Sequence, residues 1–197
     1  MGGNPLQQTK LTTGVTVEGR IEVICGGMFA GKTEEFIKRI NRARIARRKV
    51  QVFKPAIDTR YTDDGVVDHN GNGIAAVPVT SAAVLTDLVR QDTDVVGLDE
   101  AQFFDATIVD IIDVMANEGK RVIVAGLDQD WRGRPFGPMP DLLAVADDVT
   151  KLHAICVICG NRASKSFRIV KTQDTVRVGG KDAYEARCRP CYAQAVL

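Results

Sequence analysis

Hydrophobic and polar positions change period several times along this chain, and each change marks an element. Met1 to Gly19 is polar, with Gly, Thr and Gln interrupting any repeat, and reads as a loose amino-terminal arm. Arg20 to Cys25 alternates and then turns wholly apolar, as a buried strand does, and a glycine-containing turn follows at once. From Thr33 the period becomes helical: Phe36, Ile37, Ile40, Ala43 and Ile45 fall near helical spacing, while Lys38, Arg39, Arg42, Arg44, Arg47 and Arg48 fill the remainder. Val50 to Lys54 reads as a second strand, ended by Pro55. The stretch from Asp58 to about Gly73 is rich in Gly, Asp and Asn and lacks a period; irregular segments of that length act as lids or binding loops more often than as connectors. Ile74 to Val79, Val95 to Leu98 and Arg121 to Leu127 are short apolar strands, and helical stretches near Ser81 to Arg90 and Ala106 to Asn117 separate them. Strands alternating with helices predict an α/β domain over residues 20–150, a largely parallel sheet flanked by helices. After about Thr150 the chain turns to cysteine pairs and short alternating stretches such as Thr175 to Gly179, without another long helix. Residues 151–197 are therefore expected to form a small separate lobe.

Composition narrows the function classes. The chain has 197 residues, 45% apolar and 26% charged, so it can bury a core without disulfide staples and is not a disordered or low-complexity protein. Lys and Arg number 26 against 25 Asp and Glu, which leaves a net charge of +1 and no overall field to attract a nucleic acid polymer or an anionic membrane. No apolar run approaches the ~20 residues of a membrane span, and the first twenty residues lack the apolar centre of a secretory signal. A soluble protein of the cytoplasm is expected, with its five cysteines reduced or bound to metal.

Between the first strand and the first helix lies Gly26-Gly27-Met28-Phe29-Ala30-Gly31-Lys32-Thr33, which fits G-x-x-x-x-G-K-[ST] in the structural context that motif requires. Glycines let successive backbone N–H groups curl around a phosphate, and the helix N-terminus adds a favourable dipole. Lys32 is placed to reach the outer phosphates of a nucleotide, and Thr33 to ligate Mg2+. The expected fold is thus P-loop NTPase-like. A second signal is Val95 to Leu98 followed by Asp99 and Glu100. Ligands in such sheets sit at the carboxyl ends of the strands, so Asp99 is a second Mg2+ anchor. Both acids can serve one site only if the strand stops there, because strand side chains alternate. Glu100 then either orients a water, giving an ATPase, or accepts a proton from a substrate hydroxyl, giving a kinase.

Cys156-Val-Ile-Cys159 and Cys188-Arg-Pro-Cys191 are two C-x-x-C pairs separated by 28 residues, a pattern that suits a tetrahedral Zn2+ site. Four protein ligands leave no open position, so such an ion is structural and pins the loop between the pairs. The rival reading, a dithiol redox pair, ordinarily needs only one C-x-x-C. Cys25 stands apart as a small apolar side chain, and His153 reads as structural.

Taken in order, these motifs resemble the type II thymidine kinases. The resemblance runs from about Arg20 to Tyr192 and rests on the Gly26 to Thr33 loop, Lys54-Pro-Ala-Ile-Asp-Thr-Arg-Tyr61, Asp99-Glu-Ala-Gln-Phe-Phe104, Gly126-Leu-Asp-Gln-Asp-Trp131, Arg134-Pro-Phe-Gly137 and both cysteine pairs. It implies ATP-dependent phosphorylation of the thymidine 5'-hydroxyl in nucleoside salvage, with Mg2+, a structural zinc and a homotetrameric assembly. By position, Glu100 matches the family's proton acceptor, and Asp58 and Arg60 match residues near the phosphates, Arg60 sharing with Lys32 the charge of transfer. Asp99, Glu100, Ala101 and Gln102 match a nucleotide-contacting segment. Met28, Phe103, Leu127, Trp131, Phe136 and Tyr184 match the nucleoside pocket, with Trp131 standing where the family usually has Phe. Thr175, Val176, Arg177, Val178 and Gly179 match a strand whose backbone meets the thymine edge. The rival enzyme reading is a P-loop ATPase of other specificity. A rival of another class is a zinc-knuckle binding module switched by nucleotide.

Overall fold

The computed structural model describes residues 18–56, 65–67, 73–170 and 182–196. Twelve strands and five helices lie among them: β1 Arg20–Gly26, α1 Lys32–Ile45, β2 Val50–Pro55, β3 Gly65–Val67, β4 Gly73–Ala75, β5 Val77–Val79, α2 Val84–Leu88, β6 Val95–Leu98, α3 Ile108–Asn117, β7 Arg121–Gly126, α4 Met139–Val145, β8 Asp148–Leu152, β9 Ala154–Ile155, β10 Arg162–Ala163, β11 Lys165–Arg168, β12 Tyr184–Arg187 and α5 Arg189–Val196. A 3-10 turn, Ala101–Phe103, follows β6.

Six strands form one sheet in the order β5-β2-β6-β7-β1-β8, and every neighbouring pair in it is parallel. The period of two in the strands sorts side chains to the two faces. Ile21, Val23, Cys25, Val96, Leu98, Val122 and Val124 face α2, α3 and α4, which close one core with Leu85, Ile108, Ile112, Met139 and Leu142. Ile24, Val52, Val95, Ile123 and Ala125 face α1, whose Phe36, Ile37, Ile40 and Ala43 close the other core together with Val66 and Ile74 of the β3–β4 hairpin. Phe36 and Ile40 are fully buried, and burial of such side chains contributes roughly 1.5–3 kcal/mol each. The layers are helix, parallel sheet, helix, as the alternation of periods predicts.

The differences from the expected elements have local causes. The apolar run Ile74 to Val79 is two strands, because the chain turns at Ala76 from an antiparallel pairing with β3 to a parallel pairing with β2. The helix expected near Ser81 to Arg90 shrinks to the five residues of α2. Helix α4 and strand β8 appear where no element was expected, and β8 continues the main sheet to Leu152 by pairing with β1. The carboxy-terminal stretch also contains an eight-residue helix, α5. Residues 1–17, most of the stretch expected to be an arm, lie outside the described residues, as does Thr175 to Gly179.

Because all six strands run the same way, their carboxyl ends share one edge. There β1 delivers the glycine-rich turn, β6 delivers Asp99 and Glu100, and only β7 lies between them. The first C-x-x-C pair lies in the turn between β9 and β10, and the second runs from the end of β12 into α5; the antiparallel ladders β9–β10 and β11–β12 enclose a separate core of Ala154, Cys156, Ala163, Ala186 and Cys188.

Candidate functional site

The turn after β1 is built from unusual backbone. Gly26 has φ 143°, and a Cβ there would sit 2.4 Å from the Leu152 carbonyl oxygen, so β8 crowds the loop to a degree only glycine tolerates. Phe29 adopts a left-handed φ of 65°, and Gly31, at φ 82°, precedes the first residue of α1. Lys32 begins that helix and folds its Nζ back to donate to the Gly27 carbonyl at 2.9 Å, so its ammonium lies over the loop. The Met28 N–H donates to Ser166 Oγ of β11 at 2.9 Å. Phe29 and Ala30 pack on the core of the cysteine ladders. The loop is therefore held between the main sheet and the carboxy-terminal ladders.

The acids come next. Strand β6 ends at Leu98, Asp99 is 7% exposed, and its Oδ1 accepts the Glu100 N–H at 2.9 Å. Glu100 takes a left-handed backbone, φ 53° and ψ 40°, which breaks the alternation of the strand and turns the chain into the 3-10 turn. Among the described residues, three non-glycine residues have positive φ, and two of them, Phe29 and Glu100, are in this site. Strain of this kind gathers where function over-determines the backbone. Gln102 of the turn donates from Nε2 to Glu100 Oε2, and its Oε1 accepts the Leu127 N–H at 2.9 Å.

Around this edge lie aromatic and cationic groups. Phe103 and Phe136 meet edge to face with ring centroids 5.6 Å apart. The Arg168 guanidinium stacks on the Trp131 ring at 4.3 Å and donates from Nη2 to the Tyr184 hydroxyl at 3.1 Å, joining two expected pocket residues through one buried cation. Trp131 Nε1 is buried without an acceptor among the described residues, and Asp128 Oδ1 is buried without a donor among them. The other oxygen of Asp128 pairs with Lys151 Nζ at 2.6 Å, a bond that pushes the lysine's pKa up. Burial pushes the Cys25 thiol up as well, which keeps it neutral and inert in the core.

The Sγ atoms of Cys156, Cys159, Cys188 and Cys191 all lie within 4.8 Å of one another. Four sulfurs that close, with a Zn–S bond of about 2.3 Å, suit a tetrahedral thiolate site. Burial favours the neutral thiol at Cys156, yet N–H groups of Cys188, Cys159 and Ile158 bring it down to about 6. Hydrogen bonding with Cys188 and Cys159 pushes Cys191 up to about 12. Four sulfurs so close together could hold a metal ion. His153 is not part of it, since its Nδ1 meets Arg162 Nη2 at 3.0 Å.

A phosphate loop and a strand-end acid pair do not by themselves choose a substrate. The family model for thymidine kinase matches residues 19–192 of this chain. The chain belongs to the thymidine kinase family. It is similar to the thymidine kinase of Bacteroides fragilis, 55% identical over 178 residues that cover 90% of this chain and 89% of the relative. The thymidine kinase of Bacteroides thetaiotaomicron is 55% identical over 177 residues, 90% and 88% of the two chains. That of a Rhodothermus species is 53% identical over 188 residues, 95% and 87%.

For a thymidine kinase family member, the structure brings Gly26 to Thr33, Asp99 to Gln102, Phe103, Leu127 and Phe136 to one edge of the sheet. Trp131 and Tyr184 meet through Arg168. Asp58, Arg60, Thr175, Val176, Arg177, Val178 and Gly179 lie outside the described residues. Sequence reasoning passed over Ser166, Arg168 and Asp128. Ser166 and Arg168 occupy alternate buried positions of β11, but in Lys165-Ser-Phe-Arg168 three polar residues disguise a buried face. Asp128 lies inside the Gly126 to Trp131 motif, yet its ion pair is with Lys151 of β8, which the motif does not reveal.

Proposed function

We infer that this chain transfers the γ-phosphoryl group of ATP to the 5'-hydroxyl of thymidine, giving dTMP and ADP. One observation carries the reading most: the phosphate loop and Glu100 lie on the same sheet edge with one strand between them, in a chain that matches the thymidine kinase family model over residues 19–192. In the proposed mechanism Glu100 accepts the 5'-hydroxyl proton as the O–P bond forms. A sugar alcohol is too weak an acid to lose it unaided, and a base within hydrogen-bond reach contributes about 10²–10⁴-fold. Lys32, together with Arg60, spreads the charge of the transferring group. Thr33 and Asp99 offer hard oxygen donors for Mg2+, which neutralises phosphate charge when bound. The Gly26 to Thr33 loop, through its backbone N–H groups other than that of Met28, holds the nucleotide together with Ala101, Gln102 and Asp58.

Met28, Phe103, Leu127, Trp131, Phe136 and Tyr184 form the nucleoside pocket in this reading, and the backbone of Thr175 to Gly179 reads the thymine edge. The four cysteines hold a structural zinc that stabilises the root of that segment. A cytoplasmic homotetramer belongs to the same reading and is checked by light scattering on the purified protein. Among the described residues no helix is long and apolar enough to cross a membrane. A nucleoside panel tests the substrate: thymidine should be phosphorylated faster than cytidine, adenosine or guanosine nucleosides, and equal rates across the panel would remove the pocket assignment.

A further inference from the structure

The side chain of Gln102 is 2% exposed and fixed at both ends. The Leu127 N–H can only donate, so the oxygen of the amide must face it, and Oε1 accepts there at 2.9 Å. That leaves Nε2 directed at Glu100, where it donates to Oε2. The backbone around it is equally fixed. Phe103 N–H returns to the Glu100 carbonyl at 3.0 Å, and Gly137 approaches so closely that a Cβ there would lie 2.2 Å from the Gln102 carbonyl oxygen. Gln102 thus ties the carboxylate of Glu100 to the first residue beyond β7, and Leu127 is itself an expected wall of the nucleoside pocket.

We propose that Gln102 is a positioning residue for the reaction: its amide holds the Glu100 carboxylate at a fixed place relative to the pocket, so that the base meets the 5'-hydroxyl without searching rotamers. The proposal rests on the reading of Glu100 as the base. A glutamate side chain has three rotatable bonds, and Glu100 leaves the backbone in a left-handed conformation that sets its direction but not its end. Gln102, anchored on the Leu127 N–H just beyond β7, supplies a donor that holds one oxygen of that carboxylate. Misplacing a reacting group by about 1 Å is enough to cost on the order of 10²-fold in rate. A glutamine that merely filled the turn would instead alter stability, and would act equally whether or not a carboxylate stood at position 100.

The test is a double-mutant cycle on the full chain, with kcat, KM for ATP and thermal unfolding measured for each variant. Gln102→Met, similar in shape and lacking both amide groups, should lower kcat by about 10–100-fold while KM for ATP stays within about twofold. In the Glu100→Gln background the same change should lower kcat by less than about twofold, because no carboxylate is left to position. Gln102→Glu keeps an acceptor for the Leu127 N–H and removes the donor to Glu100; it should match Gln102→Met in kcat, and it carries the cycle if Gln102→Met does not fold. Equal losses of kcat in both backgrounds, or an unchanged kcat in the wild-type background, would overturn the positioning role and leave Glu100 as the base. An unchanged kcat for Glu100→Gln alone would remove the base and the positioning role with it.

Discussion

Glu100 stands at a point where a strand, a left-handed residue and a 3-10 turn meet within six residues, and its chemistry depends on that geometry. Glu100→Gln keeps the size and removes the basic oxygen, so kcat should fall by about 10²–10⁴-fold with nucleotide binding retained, as measured by steady-state kinetics beside ATP titration. Trp131 poses a different question, since its indole N–H is buried with no acceptor among the described residues while its face carries Arg168. An unpaired buried donor costs about 1–3 kcal/mol. Trp131→Phe keeps the stacking face and removes that donor, so it should leave the melting temperature unchanged or raise it, whereas Trp131→Ala should lower it and raise KM for thymidine. The residues legible in the sequence were those whose backbone chemistry demands a fixed spacing: the glycines and Lys32 of the loop, the two acids at a strand end, the cysteines. Gln102 and Arg168 were not legible as joints between site residues, because each joint needs a partner 16 or more residues away, Leu127 for one and Tyr184 for the other.

At the scale of elements, the main sheet is laced to α1 by one buried acid. Glu22 of β1, 4% exposed, receives Arg121 of β7 at 2.7 Å, Arg39 of α1 at 3.0 Å and its neighbour Arg20 at 2.7 Å, while Arg39 also donates to Thr150 of β8. Burial alone raises its pKa, but the Arg121 and Arg20 guanidinium groups outweigh that and hold it at about 2, below the ordinary 4.5. A carboxyl depressed in the folded state stabilises the fold above its unfolded pKa and loses that contribution as the pH falls towards its folded pKa. About 3 kcal/mol should therefore vanish between pH ~4.5 and ~2, and the slope of stability against pH in that window, from urea unfolding, should flatten in Glu22→Gln. The elements the pattern did not reveal are those with little to bury. β8 has no fully buried position, α4 has two, and α5 is weakly amphipathic. Each is placed by the surface it lies on, as β8 is by β1, and its own period carries little signal.

Across the whole molecule, the cysteine ladders and the phosphate loop are one mechanical unit. Ser166 holds the Met28 N–H, and Phe29 and Ala30 rest on the core that contains Cys156 and Cys188. A metal bound by the four sulfurs would therefore stabilise more than its own ladders, because folding and metal binding are linked. Removing it by chelation, or by Cys156→Ser, should lower the melting temperature and raise KM for ATP together; metal content by atomic emission with both quantities unchanged would separate the ladders from the loop.

Transfer from ATP to a sugar alcohol is followed by tracing the γ-phosphoryl group. With γ-labelled ATP and thymidine, labelled dTMP should appear one for one with ADP, and ADP formation should be slow when thymidine is withheld. ADP produced at the same rate without thymidine, with the label in inorganic phosphate and none in dTMP, would contradict it.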